Sequence, residues 1–213
     1  MSEARTPSRV TRSAAAEGGA AVARVAAQRR AQPSGWWGMV LFVCAESTLF
    51  GTLLATYFYL DFNAPRWPPA GIKAPSVVLP LAATALLVAT SVPLFLAARA
   101  AVAGERDRTA WLIAAAMLVQ CCYLAGQILL FRHDLNEFSP QDTAYGSIYF
   151  TMLAAHHAHV LLGILLDGWV LFKVAVGGFT NYRLTAVRAT ALYWHVVNGI
   201  AVFVVLTQLA PSL

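Results

Sequence analysis

Ionisable and amide side chains interrupt long apolar runs of this sequence, and they are the residues whose chemistry could carry a function. An ionisable group is expensive to bury among apolar residues, so its presence predicts a proton-carrying, ligating or pairing role. The set holds two carboxyl groups, four histidines and two amides. These residues are Glu46, His156, His157, His159, Asp167, His195, Gln127 and Asn198.

Glu46 lies ten residues into an apolar run that begins at Trp36. If this run is a helix that crosses a membrane, the carboxyl lies about 15 Å deep, near the centre of the bilayer. A lone carboxyl at that depth is expected to be protonated or paired, since burial penalises its charged form. Two interpretations stay open. Glu46 is a proton-responsive or lipid-contacting carboxyl, or it is a neutral acid hydrogen-bonded to a neighbouring helix.

The histidines form the second candidate site. His156 and His159 are three residues apart and share one face of a helix, whereas His157 points elsewhere. Such a pair could ligate haem or a metal ion with His195 as partner, or it could hydrogen-bond to other helices. Alanines surround the pair, which favours close helix packing over room for a haem ring.

We therefore predict no metal site, no haem and no catalytic residue in this chain. Instead we predict an interhelical polar cluster in the cytoplasmic half of a helix bundle, with Glu46 paired to one of the histidines. The other predicted members of the cluster are His156, His159, Asp167, His195, Asn198 and Gln127.

The composition argues against an ordinary water-soluble domain and against a nucleic-acid-binding protein. Of the 213 residues, 59% are hydrophobic and only 12% are charged, about half the charged share of a soluble domain. The net charge of +5 comes from cations at the edges of apolar runs, which favours lipid headgroups over nucleic acid as partners. Cys44, Cys121 and Cys122 lack the spacing of a zinc or iron–sulfur site and are expected to be small core residues.

Five apolar runs of 21 to 29 residues must position these side chains. They cover residues 36–60, 76–98, 110–131, 144–172 and 189–209. Each is long enough to cross a bilayer, and the absence of period-two alternation predicts helices. Pro80 and Pro93 are expected to kink the second run. The sequence thus predicts an all-α, polytopic membrane protein, with a five-helix domain over residues 36–213 and a flexible, basic, cytoplasmic tail over residues 1–35.

The cations between the runs predict the orientation of the bundle. With the N-terminus in the cytoplasm, the cytoplasmic side holds six arginines in the tail and three cations in each of two loops. The external side holds only Arg66, Lys73 and Arg132. Because cytoplasmic loops are enriched in Lys and Arg, this bias of 12 to 3 predicts a cytoplasmic N-terminus and a periplasmic C-terminus.

Motifs in four of the runs stand in the order and spacing of a known family. The first run contains Trp37-Gly38-Met39, Glu46, Phe50-Gly51 and Tyr57-Phe58-Tyr59-Leu60, and the third contains Ala125-Gly126-Gln127. The fourth contains Tyr145-Gly146-Ser147, His156-His157-Ala158-His159-Val160 and Gly163, and the fifth contains Tyr193-Trp194-His195. From about Trp36 onward the chain resembles subunit III of the haem-copper terminal oxidases. It departs from the family where Leu130, Arg188 and Asn198 replace acids, and it resembles a short, five-helix bacterial form.

The resemblance implies a non-redox accessory subunit of a respiratory oxidase in the bacterial cytoplasmic membrane. Such a complex reduces oxygen to water with electrons from cytochrome c or quinol and translocates protons. Haem and copper are then expected in partner subunits I and II. Bound phospholipid, stabilisation of the catalytic subunit and support of proton uptake are expected of this chain. A nitric oxide reductase as the parent complex stays open, as do a b-type cytochrome and a proton-coupled transporter using Glu46 and Asp167.

Overall fold

The computed structural model describes residues 33–72, 78–177 and 180–209, so the predicted tail lies almost wholly outside the described residues. Within those ranges the only regular secondary structure is α-helix. The helices are α1 (Ser34–Asn63), α2 (Val78–Ala89), α3 (Ser91–Val102), α4 (Arg106–Glu137), α5 (Ala144–Val176) and α6 (Asn181–Leu209). Five segments are long and apolar enough to cross a membrane, with α2 and α3 together forming the second. The predicted all-helical, five-span fold is confirmed.

The second span is divided at Thr90, between α2 and α3. The amide and the hydroxyl of Thr90 both donate to the Leu87 carbonyl, at 3.0 and 2.6 Å. Pro93 has no amide hydrogen, so it cannot donate the helical hydrogen bond to the Ala89 carbonyl. This accounts for the break. Pro80 lies in the first turn of α2 as described, where no break occurs, so only the kink predicted near Pro93 is present.

Burial separates a central helix from a peripheral one. In the most apolar window of α6, 56% of residues are buried, against 11% in α1. Side chains attach α1 to the bundle: Phe42 stacks on Tyr193 with ring centroids 6.1 Å apart, and Tyr57 donates to the Thr207 carbonyl at 2.7 Å. The helix that carries Glu46 therefore lies at the edge of the bundle.

Three hydrophobic clusters fill the interior. The first surrounds Trp194, the second is rich in aromatic rings around Tyr145, and the third consists of small and aliphatic side chains around Val170. Many large apolar side chains remain exposed, as expected of helices that face lipid or another subunit. The three cysteines are exposed as well, so their predicted place in the core is wrong. In a membrane span an apolar context does not imply burial within the protein.

The orientation of the spans stays a prediction. Alkaline phosphatase, which folds to an active form only in the periplasm, should be active when fused after Leu213. It should be inactive when fused at Gly104, in the turn between α3 and α4, because Arg99, Arg106 and Arg108 flank that turn. Activity of the Gly104 fusion together with an inactive C-terminal fusion would reverse the predicted topology.

Candidate functional site

Glu46 on α1 and His159 on α5 form a pair between the two helices. Oε2 of Glu46 contacts Nε2 of His159, and the two side chains are 20% and 15% exposed. Nδ1 of His159 lies 2.6 Å from the Ala155 carbonyl one turn earlier. A carbonyl oxygen only accepts hydrogen bonds, so Nδ1 carries a hydrogen, and Nε2 of a neutral ring is then an acceptor.

This arrangement means that Glu46 and His159 share one proton. Either a carboxylic acid donates to a neutral imidazole, or an imidazolium donates to a carboxylate. In both cases the pair carries no net charge, which lowers the cost of placing it among apolar helices. The Phe50 ring meets the imidazole edge-on with centroids 5.1 Å apart, and the Tyr193 hydroxyl donates to the His159 carbonyl at 2.7 Å. A ring contact from Phe50 and a hydrogen bond from Tyr193 thus hold His159 in position.

The neighbouring histidines have different partners. His156 is 1% exposed, and its Nε2 lies 3.3 Å from the Tyr123 hydroxyl on α4. Nδ1 of His156 has no hydrogen-bond partner within the described ranges. The His157 ring packs edge-on against Phe131 at 5.9 Å. Although His156 and His159 are three residues apart, one binds a tyrosine of α4 and the other a glutamate of α1.

Asp167 is enclosed by Trp194, which belongs to the motif of the fifth run, and by Gln120, which the sequence did not single out. Asp167 is 1% exposed and has Trp194 on α6 and Gln120 on α4 as polar neighbours. Neither of its carboxyl oxygens has a hydrogen-bond partner among the described residues. One turn before Asp167, a Cβ atom at Gly163 would lie only 2.5 Å from Cζ2 of Trp194. The glycine therefore makes room for the indole ring beside the carboxyl. Gln120 and Gln127 are seven residues apart, a spacing that could have indicated a polar inward face of α4.

The remaining predicted members of the cluster occupy separate places. Asn198 is buried and donates from Nδ2 to Ser91 Oγ at 2.8 Å, which links α6 to the start of α3. Gln127 is buried and lines a small cavity beside His156. His195 is exposed on α6, outside the interior in which the sequence placed it. The predicted members of the cluster thus lie in separate places instead of forming one network.

The described residues offer no group of three or more histidine, cysteine or acidic side chains that could hold a metal ion. Both imidazoles of the predicted His156 and His159 face already have protein partners, a tyrosine for one and a glutamate for the other. What the arrangement offers chemically is a shared proton at Glu46 and His159 and a set of buried hydrogen-bonding groups.

The sequence was compared with known protein families. The sequence model of the family described as cytochrome c oxidase subunit III matches residues 24–209. The chain belongs to the cytochrome c oxidase subunit III family. Together with the five spans, this membership makes the chain a multi-pass membrane protein.

Relatives in the subunit III family come from animals and from bacteria. The cytochrome c oxidase subunit 3 of Coturnix japonica is 29% identical over 179 residues, which cover 81% of this chain and 67% of that protein. A probable cytochrome c oxidase subunit 3 of Nocardia farcinica is 28% identical, with 76% and 80% covered. A probable quinol oxidase subunit 3 of Staphylococcus haemolyticus is also 28% identical, with 80% and 84% covered.

The residues that carry the resemblance to subunit III meet in the folded chain. Glu46 of the first motif contacts His159 of the fourth span. Tyr193 of the last motif donates to the backbone of His159, and Trp194 packs against Gly163. Residues from the motifs of the first, fourth and fifth runs therefore meet where α1, α5 and α6 come together.

Proposed function

We propose that this chain is a non-redox accessory subunit of a respiratory haem-copper oxidase in the bacterial cytoplasmic membrane. The observation that carries the proposal is membership in the subunit III family over residues 24–209, with Glu46 and His159 in contact. Subunits I and II of the complex would hold the haem and copper. The complex would reduce oxygen to water and translocate protons.

The hydrogen-bond partners of the histidines support an accessory role for the chain. A haem ligated by two histidines needs opposed imidazoles with free nitrogens at matching depth. Here Nε2 of His159 contacts Glu46, and Nε2 of His156 lies beside the Tyr123 hydroxyl. His195, the ligand that a second helix would have to supply, is exposed on α6. These side chains suit helix packing better than cofactor ligation.

The position of the Glu46 and His159 pair supports roles in proton uptake and lipid retention. The pair shares a proton, is only partly buried, and lies on the peripheral helix α1. A group at the bundle edge can contact lipid and respond to local proton supply, whereas Asp167 is enclosed by protein. We infer that α1 stabilises the catalytic subunit and holds phospholipid beside it.

The electron donor of the complex is either cytochrome c or quinol. The relative from Nocardia farcinica is named for the first and the relative from Staphylococcus haemolyticus for the second, at the same 28% identity. Oxidation of reduced cytochrome c and of a quinol by the purified complex distinguishes the two donors.

Purification of the tagged chain in a mild detergent tests the proposal. We expect a haem-copper catalytic subunit to co-purify, identified by mass spectrometry and by haem absorbance. A control purification from cells in which the chain carries no tag excludes non-specific capture. Recovery of this chain alone, or a Soret band from this chain without other subunits, would contradict the proposal.

A further inference from the structure

We propose that the bundle binds one internal water molecule between α2, α4, α5 and α6, held by Thr84, Tyr123, Gln127 and His156. A partly open cavity of about 10 Å³, measured as the space that the centre of a water molecule can occupy, lies among these side chains. About 10–15 Å³ on that measure is enough for one water molecule. The ligand that fits is therefore a single small molecule.

The lining of the cavity combines four polar side chains with an apolar wall. Thr84 on α2, Tyr123 and Gln127 on α4, and His156 on α5 are each at most 6% exposed. The other lining residues are Pro80, Leu153, Ala201, Val204 and Val205. Buried waters typically make about three hydrogen bonds, and four polar side chains from three helices supply that number.

The hydrogen-bonding capacity of the four side chains exceeds what they use among themselves. The Tyr123 hydroxyl lies 3.3 Å from Nε2 of His156 and also interacts with the Thr84 side chain, which leaves it one further hydrogen-bonding position. Nδ1 of His156 is enclosed and has no partner among the described residues. The Gln127 side chain is 5% exposed and lines the cavity. Since buried polar groups are normally hydrogen-bonded, a bridging molecule is expected.

The chemistry of the lining selects water over an ion. Threonine, tyrosine, glutamine and a neutral histidine offer donors and acceptors but no formal charge. A water molecule both donates and accepts, so it can join the Thr84 hydroxyl to the Gln127 amide. It would thereby tie α2, the first half of the broken second span, to α4 and α5.

Hydroxyl-radical labelling by X-ray radiolysis tests this site in the full chain purified in mild detergent. Radicals generated from a bound water modify the side chains beside it even where bulk solvent is excluded. Tyr123, which is 6% exposed, should be oxidised several-fold faster than Tyr193, which is 1% exposed and donates directly to the His159 carbonyl. After rapid mixing with H₂¹⁸O, the early product should carry ¹⁶O, because a bound water exchanges slowly.

Two variants and a matched control complete the test. Gln127→Leu removes an amide from the lining and should lower Tyr123 oxidation to the rate of Tyr193, and Thr84→Val should have the same direction of effect. Gln120→Leu changes the same residue type seven positions earlier, outside the cavity lining, and should leave Tyr123 oxidation unchanged. If Gln127→Leu does not fold, Thr84→Val decides the outcome.

Three results would overturn the proposal. Oxidation of Tyr123 at the rate of Tyr193 would mean that no water is bound beside it. Rapid incorporation of ¹⁸O would mean that bulk solvent enters. Equal effects of Gln120→Leu and of both cavity variants would mean that the labelling reports loosening of the bundle.

Discussion

Replacing Gly163 with leucine should prevent the bundle from assembling, and replacing it with alanine should destabilise it strongly. A Cβ atom at this position would lie 2.5 Å from Cζ2 and 2.8 Å from Cε2 of Trp194. The indole is fully buried, so it can move only by displacing α5 or α6. Overpacking of this kind typically costs about 1–3 kcal/mol for one or two added carbons, and leucine adds four.

The thermal transition of the purified protein and its elution on size exclusion measure this effect. Gly168→Ala is the matched control, because it lies on the same helix and a Cβ atom there meets nothing within 4 Å. We expect Gly168→Ala to leave the transition unchanged or slightly raised, since alanine favours helix. Equal transitions for Gly163→Ala and Gly168→Ala would show that the contact with Trp194 does not constrain the fold.

Removing either member of the Glu46 and His159 pair should lower the thermal stability and the amount of bound lipid. The initial rate of oxygen consumption by the complex should change little. Glu46→Ala leaves Nε2 of His159 without its partner, and His159→Ala leaves a carboxyl unpaired. A buried group left unsatisfied costs about 1–3 kcal/mol, and the cost at this partly buried pair should lie toward the lower end. Glu46→Gln should cost less, because its amide can still donate to a neutral imidazole.

A double-mutant cycle on the free energy of unfolding measures the coupling between Glu46 and His159. Infrared spectroscopy reports separately which of the two carries the proton. The double alanine variant should be less destabilised than the sum of the single variants, since the two side chains share one interaction. If the proton resides on the carboxyl, Glu46→Gln should remove a protonated-carboxyl band. Ser47→Ala is the control, because that hydroxyl donates only to the Val43 carbonyl of its own helix. Additive losses would show that Glu46 and His159 act independently.

The five spans were predictable because apolar length alone marks a segment that can cross a bilayer. All five runs became helices, and the structure extends most of them by several residues at the loop ends. The split of the second span at Thr90 was predictable from Pro93, whereas Pro80 causes no break within the described part of α2.

The hydrogen-bond partners of the polar side chains were harder to predict from the sequence, because they depend on the rotation of each helix about its axis. The sequence places His156 and His159 on one face of a helix. Which of the two contacts Glu46 depends on where α1 packs, and in the structure it is His159. The fit of Trp194 against Gly163 sets the rotation of α6. His195, one residue further along, is thereby turned to the outside instead of joining the interior.

The proposal that this chain is an accessory subunit is tested most directly by measuring an oxidase complex with and without it. Oxygen consumption is followed over many turnovers, and haem spectra are recorded from both preparations. We predict unchanged haem absorbance and a similar initial rate, with activity that decays faster during turnover when the chain is absent. Loss of haem absorbance in proportion to the chain removed, with subunit I intact, would contradict this prediction and would show that the chain carries a cofactor.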